Sequence, residues 1–277
     1  MPLFLKDSKS LYYEDHGQGE VLVLLNGFGR SMRHWLGFDQ LLAKNNRVIT
    51  IDHRGVGRSS ATPVSWKVTM FDYADDVAAI LEHLHIKGAH IVGLSMGGMI
   101  AMAFGLRHAK LTKSLVVINS SIAGQKSLQV GIAGIKLFST IIKNRDQFNY
   151  IVGPLLLSSQ YKNPKKLFDI WHTFQSLEPF NADMAVKQFL AIKRFKAGGS
   201  LKRLEVPTLI LKGSDDRLVP TTNSDILHNL IPTSQLVEIA DGGHEMTVDH
   251  RMEVCEAVEV FVEDVVAAAE VKKQKVA

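Results

Sequence analysis

A chain of 277 residues with 46% hydrophobic and 22% charged residues has the make-up of an ordinary soluble globular protein, which excludes a disordered or fibrous one. It is long enough to bury a real core as one large domain or two smaller ones, and its formal net charge is a modest +4. A single cysteine, Cys255, excludes an intramolecular disulfide and a thiolate metal cluster; with no secretory signal in Met1 to Ser10, a cytoplasmic location is expected.

Short apolar runs predict strands at Val21–Leu25, Arg47–Ile51, Ala89–Gly93, Leu115–Ile118, Pro207–Leu211 and Leu236–Ile239. Most are bare runs rather than alternations, the pattern of strands covered on both faces in a parallel sheet. Helix-period segments fall between them, notably at Phe71–His85 (apolar at Val77, Ile80, Leu81 and Leu84), Met96–His108 and Thr221–Leu230. Alternating strand and helix predicts an α/β fold with a doubly wound, mostly parallel sheet, whose ligands gather outside the carboxyl ends of the strands. Gly88 to Leu106 lacks any Asp, Glu, Lys or Arg, but His90, Ser95 and three glycines interrupt it. A strand turning into a buried helix explains that stretch, so no membrane span is expected.

From about Ala123 to Lys196 helical patterns follow one another without a convincing strand. The expectation is a helical cap over 123–200, inserted between core segments 1–122 and 201–277. Pro154, Asn163-Pro164 and Pro179 should punctuate it into short helices, and Ala197-Gly198-Gly199-Ser200 should form a flexible return to the sheet. A final amphipathic helix would pack Cys255, with Lys272, Lys273 and Lys275 at a frayed end.

The chemistry-bearing residues fall at the carboxyl ends of the predicted strands. Gly93-Leu94-Ser95-Met96-Gly97-Gly98 has a serine on a strand-to-helix turn, with small residues two positions to either side where the chain doubles back. Alone this motif is weak. A serine hydroxyl becomes a nucleophile only beside a base, so it calls for a later histidine oriented by a carboxylate, in the order serine, acid, histidine. His244, in Gly242-Gly243-His244, is the one histidine of eleven in a glycine-rich loop after a C-terminal strand. Asp215 and Asp216, in Gly213 to Pro220, compete for the acid, and either also suits a turn before the helix near Thr221. Asp52 and Arg54 are expected to brace their loop, and Asp75 and Asp76 to suit the start of a helix. No His-Glu-x-x-His or comparable ligand cluster occurs, and the glycines at 55 and 57 lack a Lys-Ser ending. Neither metal-assisted hydrolysis nor phosphate binding is therefore expected, and no cofactor or nucleic-acid partner is expected either.

Asn26-Gly27-Phe28-Gly29, Asp52 to Ser59, Gly93 to Gly98, Gly213 to Pro220 and Gly242 to His244 together resemble the α/β-hydrolase superfamily. The likeness is strongest to small capped serine hydrolases such as 3-oxoadipate enol-lactonases, carboxylesterases and cofactor-free haloperoxidases. It implies Ser95 as nucleophile, His244 as general base and Asp216, four residues before Pro220, as the acid. It also implies an oxyanion hole from the backbone N–H groups of Met96 and Phe28, and no cofactor. Asn26 stands where that family commonly has His, which bears on loop support. The implied function is hydrolysis of a carboxylic ester, lactone or thioester through an acyl-enzyme. The alternatives are a ligand receptor with vestigial turnover, or carbon–carbon hydrolysis or lyase chemistry on the same triad.

A substrate pocket is expected between sheet and cap, with Phe28, Trp35 and Met96 below and Phe148, Tyr150, Leu155 and Leu156 above, each of which could instead simply pack. Residues 123–200 hold eleven Lys or Arg against four Asp or Glu, while the remainder is net −3. Such a surface suits an anionic ester or an acidic acyl carrier protein, or is a plain solvated face.

Overall fold

The computed structural model describes residues 3–6, 9–59, 61–123, 148–178 and 182–276. Its eight strands are β1 (Leu3–Lys6), β2 (Lys9–His16), β3 (Val21–Leu25), β4 (Arg47–Ile51), β5 (Ala89–Leu94), β6 (Thr112–Ile118), β7 (Thr208–Gly213) and β8 (Ser234–Ile239). They form one sheet in the order β1-β2-β4-β3-β5-β6-β7-β8, antiparallel at β1/β2 and β2/β4 and parallel elsewhere. The parallel register aligns Leu24 with Val92, Val92 with Val116 and Val116 with Leu209, so a row of apolar side chains crosses one face.

That row packs under α1 (Phe38–Leu42) and α10 (Arg251–Val276) through Phe38, Leu42, Val254 and Val258. The opposite face carries Val23, Ile91 and Leu115 and is covered by α2 (Met70–His83) and α3 (Met96–Arg107) through Val77, Ile80, Leu81, Ile100 and Phe104. Each such side chain taken from water contributes roughly 1.5–3 kcal/mol, which is why bare apolar strands need helices on both sides. No helix among the described residues is long and apolar enough to cross a membrane.

Between β6 and β7 the described helices are α4 (Phe148–Leu156), α5 (Pro164–Leu177), α6 (Ala182–Arg194) and α7 (Gly198–Leu201). Helix α5 begins on Pro164 after a left-handed Asn163, as the Asn-Pro pair suggested. Pro154 lies inside α4 instead of ending it, and Pro179 lies outside the described residues. The segment is not uniform. Val152, Leu156, Leu157, Leu167, Phe168 and Trp171 make a small cluster of their own with Val248, whereas Ala191, Phe195, Ala197 and Leu201 join the main core. The expected flexible Gly-Gly return is therefore wrong: the N–H groups of Ser200 and Leu201 both bond to Ala197 O, and a fully buried Leu201 fixes the turn as helix.

The remainder of the chain contributes α8 (Thr222–Leu230), α9 (Met246–Asp249) and α10, which runs through the expected frayed end to Val276 and buries Cys255. Strands β1 and β2, on the antiparallel side of the sheet, were missed because β1 has only four residues and in β2 Glu14, Asp15 and His16 follow Leu11 to Tyr13.

Candidate active site

The site is assembled at the carboxyl edge of the parallel strands. Strand β5 ends at Leu94, and Ser95 turns the chain into α3 with φ 56° and ψ −115°. A side chain at positive φ costs energy and persists only where neighbours hold it. Here Ser95 N–H donates to Ile118 O at 2.8 Å, and Ser120 Oγ donates to Ser95 O at 2.6 Å. Gly97 is obligatory because a Cβ there would collide with the carbonyl of Leu25. The first glycine loop lies against this turn: a Cβ on Gly27 would sit 3.4 Å from that of Ser95.

Asp216 and His244, 28 residues apart, meet across neighbouring loops after β7 and β8. His244 Nδ1 lies 2.8 Å from Asp216 Oδ2, and both side chains are almost fully buried. Asp216 Oδ1 accepts the N–H groups of Leu218 (2.9 Å) and Val219 (2.8 Å), which fixes the carboxylate's orientation. With Nδ1–H directed at Asp216, Nε2 is the basic nitrogen. Burial alone would push the histidine's pKa down. The Asp216 charge and hydrogen bond, helped by Glu245, outweigh it and leave the pKa raised above 6.5.

Asp215 has a different task. Its carboxylate accepts Ser159 N–H at 2.5 Å, and that bond, aided by Arg217, holds it below the usual range. Three further bonds join the same stretch to the loops of the acid and the histidine: Glu245 N–H to Leu156 O, Ser158 N–H to Asp249 Oδ2, and Arg217 Nη2 to Leu157 O. Gly243 is required there, since a Cβ would run into the backbone of Leu157 and Ser158.

Asn26 supplies its own loop support: its Nδ2 donates to Ser31 O at 2.9 Å, closing the turn around Phe28. His53, whose pKa burial lowers to about 4, is neutral and donates from Nε2 to Asn26 O at 3.1 Å. Gly29 N–H donates to Gln188 Oε1 of α6 at 2.9 Å, so the helical segment grips this loop as well. Asp52 accepts the N–H groups of Met32 and Arg58, and Arg54 forms a two-pronged pair with Asp76 at 2.5 Å, which is bracing as expected. Asp75 pairs with Arg107 and His108.

The pocket residues divide. Phe28 is half-buried beside the nucleophile turn and Met96 is buried at the head of α3. Leu156 is buried and its carbonyl touches the histidine loop, while Leu155 is half-buried. Trp35 is 1% exposed and packs with Phe38 at 5.8 Å in the core facing α10, a core role rather than a lining one. Tyr150 is exposed, with its hydroxyl on Asp169, on the outside of the segment. The side chain of Phe148 lies outside what is described.

Sequence reasoning missed Gln188, Asn119 and a buried group in which Arg30 pairs with Glu245 at 3.4 Å and stacks on Trp171 at 4.3 Å. A polar Gln188 on the apolar face of α6, between buried Ala185 and Ala191, was the one readable signal.

A mostly parallel sheet with a strained serine turn and a buried aspartate–histidine pair at its carboxyl edge has the architecture of an α/β hydrolase. Residues 20–250 match the family model described as alpha/beta hydrolase fold, and the chain belongs to that family. It is 30% identical over 254 residues to "Putative carbamate hydrolase RutD" of Yersinia enterocolitica, covering 86% of this chain and 87% of that one. Among solved structures it is similar to a thermophilic esterase from Thermogutta terrifontis (25% identity, TM-score 0.79, 93% and 94% coverage). The enol-lactonase from Burkholderia xenovorans LB400 shares the fold at 21% identity (TM-score 0.83, 95% and 100% coverage). The family match and the first two likenesses support hydrolase activity, and the third shows the fold.

Proposed function

We propose that the protein is a serine hydrolase that cleaves a carboxylic ester, lactone or thioester through an acyl-enzyme. Ser95 Oγ attacks the carbonyl carbon while His244 Nε2 takes its proton, and Asp216 steadies the imidazolium that forms. The backbone N–H groups of Met96 and Phe28 receive the developing oxyanion. Collapse expels the leaving group, which takes the proton from His244; water then attacks the acyl carbon with His244 again as base, releasing the acid and Ser95. The observation that carries this reading is the buried His244–Asp216 bond of 2.8 Å, with the acid's second oxygen fixed by two backbone N–H groups. A carbamate is a second substrate class for the same steps, favoured by the 30% identity to the chain named "Putative carbamate hydrolase RutD". The segment 123–200 acts in this reading as a cap, and its basic surface suits an anionic substrate or one presented on an acidic acyl carrier protein.

The test is a fluorophosphonate probe together with a panel of aryl esters, lactones, thioesters and carbamates ranked by kcat/KM. The probe should label Ser95, and Ser95→Ala should remain folded while kcat falls about 10⁵- to 10⁶-fold. Labelling at a different serine, or full turnover in Ser95→Ala, would refute the assignment. Single-turnover behaviour on the whole panel would favour a receptor.

A further inference from the structure

We infer that Asn119, which follows β6, is a positioning residue that sets the spacing of Ser95, Asp216 and His244; the inference rests on the hydrolase reading of those three. Its side chain is 3% exposed and joins loops that the sequence keeps far apart. Oδ1 accepts Gly213 N–H at 2.8 Å, three residues before Asp216. Nδ2 donates to Gly243 O at 2.8 Å and to His244 O at 3.1 Å. Both amide hydrogens are thus spent on the histidine loop and the amide oxygen on the acid loop.

The residues on either side hold the third partner. Ile118 O accepts Ser95 N–H, and Ser120 Oγ donates to Ser95 O. A tripeptide at the end of β6 therefore touches the backbone of the serine turn, the acid loop and the base loop at once. The backbone agrees with this task. Asn119 has φ 44°, a left-handed conformation that asparagine tolerates better than other residues with a side chain, and its own N–H extends the ladder to Leu211 O. Glycine would take that φ more easily but could make none of the three side-chain bonds. Aspartate has the right shape, yet it would set an oxygen against the carbonyl oxygens of Gly243 and His244. The amide is the group that both accepts from one loop and donates to the other.

A displacement of about 1 Å in the reacting groups costs roughly 100-fold in rate. Asn119→Gly and Asn119→Asp of the full chain should therefore lower kcat on an aryl ester by about 10- to 100-fold per probe-titrated site, with KM within about twofold of wild type. In both, the downfield proton NMR signal of the His244–Asp216 hydrogen bond should shift or disappear while cooperative thermal unfolding is retained. Asn119→Gly keeps the backbone conformation available, so its loss cannot be assigned to φ strain. Turnover within about twofold of wild type, or an unchanged downfield signal in either folded variant, would overturn the inference. A wild type that gives the signal but turns over no acyl substrate would instead sink the hydrolase reading, while the variants' spectra would still decide the role of Asn119.

Discussion

The carboxyl edge of the sheet and the helices between β6 and β7 are built on different terms. At the sheet edge, Ser95 is fixed by a backbone bond to β6, Asp216 by N–H groups of its own loop and the His244 carbonyl by the Asn119 side chain, over strands whose apolar rows are fully buried. The helices α4 and α5 rest on a small cluster and are held to that edge by a few bonds, chiefly at residues 156–159, while α6, part of which joins the main core, adds the bond from Gln188. On the proposed reading, chemistry that tolerates little displacement is carried by the part with the deep core, and specificity by helices with fewer buried contacts.

The sharpest way to break that contrast is at the paired acids. Asp216→Asn should lower kcat by about 10³- to 10⁴-fold, because an amide in place of the carboxylate oxygen favours the wrong imidazole tautomer. Asp215→Asn keeps an oxygen that can accept Ser159 N–H and loses only the charge on that bond and the pairing with Arg217 at the seam with the helices, so it should cost less than about tenfold. Equal losses in steady-state kinetics would show that the two regions are not functionally distinct.

The pH profile follows from the same pair. His244 must be neutral to accept a proton, and its pKa is raised, so kcat/KM should fall on acidification with a midpoint above 6.5. The sign for stability is opposite: the pair's contribution is complete below the unfolded value of about 6.5 and is lost as pH rises through the folded one. Glu245 also raises this pKa, so Glu245→Gln should move the midpoint down. A midpoint at or below 6.5, or one unmoved by that change, would contradict the electrostatics described.

How much could be read from the sequence follows the same division. The six parallel strands and the loops that hold Ser95, the paired acids and His244 were readable because each is a local pattern, an apolar run followed by a turn, whereas the choice of Asp216 over Asp215 came only from the family resemblance. Strand β1 is only four residues long, and its neighbour β2 follows three apolar residues with Glu14, Asp15 and His16, so neither stands out as a buried parallel strand does. Asn119 was invisible because its partners lie 94, 124 and 125 residues away, and nothing local marks a side chain whose bonds are all non-local. In the helical segment local signals misled: Gly198-Gly199 lies in a helix because Leu201 is buried, and Pro154 sits within α4. For Trp35, expected either to line the pocket or simply to pack, the ring lies in the core on the α10 side of the sheet.

Gln188 tests whether the helices influence chemistry at all. Its Oε1 accepts Gly29 N–H beside Phe28, whose own N–H is proposed for the oxyanion. Gln188→Leu keeps the packing but leaves Gly29 N–H unbonded, and should lower kcat by about tenfold with little change in melting temperature. Gln188→Glu retains the acceptor and should restore part of the loss. A change confined to KM would mean that α6 shapes only the pocket.

The smallest expected effect concerns charge. Residues 123–200 are net +7 and the rest of the chain net −3, and if that segment caps the site as proposed, its positive field would favour anionic substrates. Lys126, Lys136, Lys143 and Arg145 lie outside the described residues, and Arg194 is committed to Trp66 O and Val68 O, where it braces α6 against the core. Lys187 likewise pairs with Asp183 and lies over Trp66. Lys165 and Lys166, exposed at the start of α5, are the cleaner pair to reverse, because no such brace is lost with them. For an anionic ester or one carried on an acidic protein, kcat/KM should fall about threefold from low to physiological salt, and Lys165→Glu with Lys166→Glu should reproduce that loss at low salt. A neutral ester should respond to neither. Matching salt profiles for the two substrate types would reduce the basic helices to a solvated surface and leave the sheet edge as the whole of the functional site.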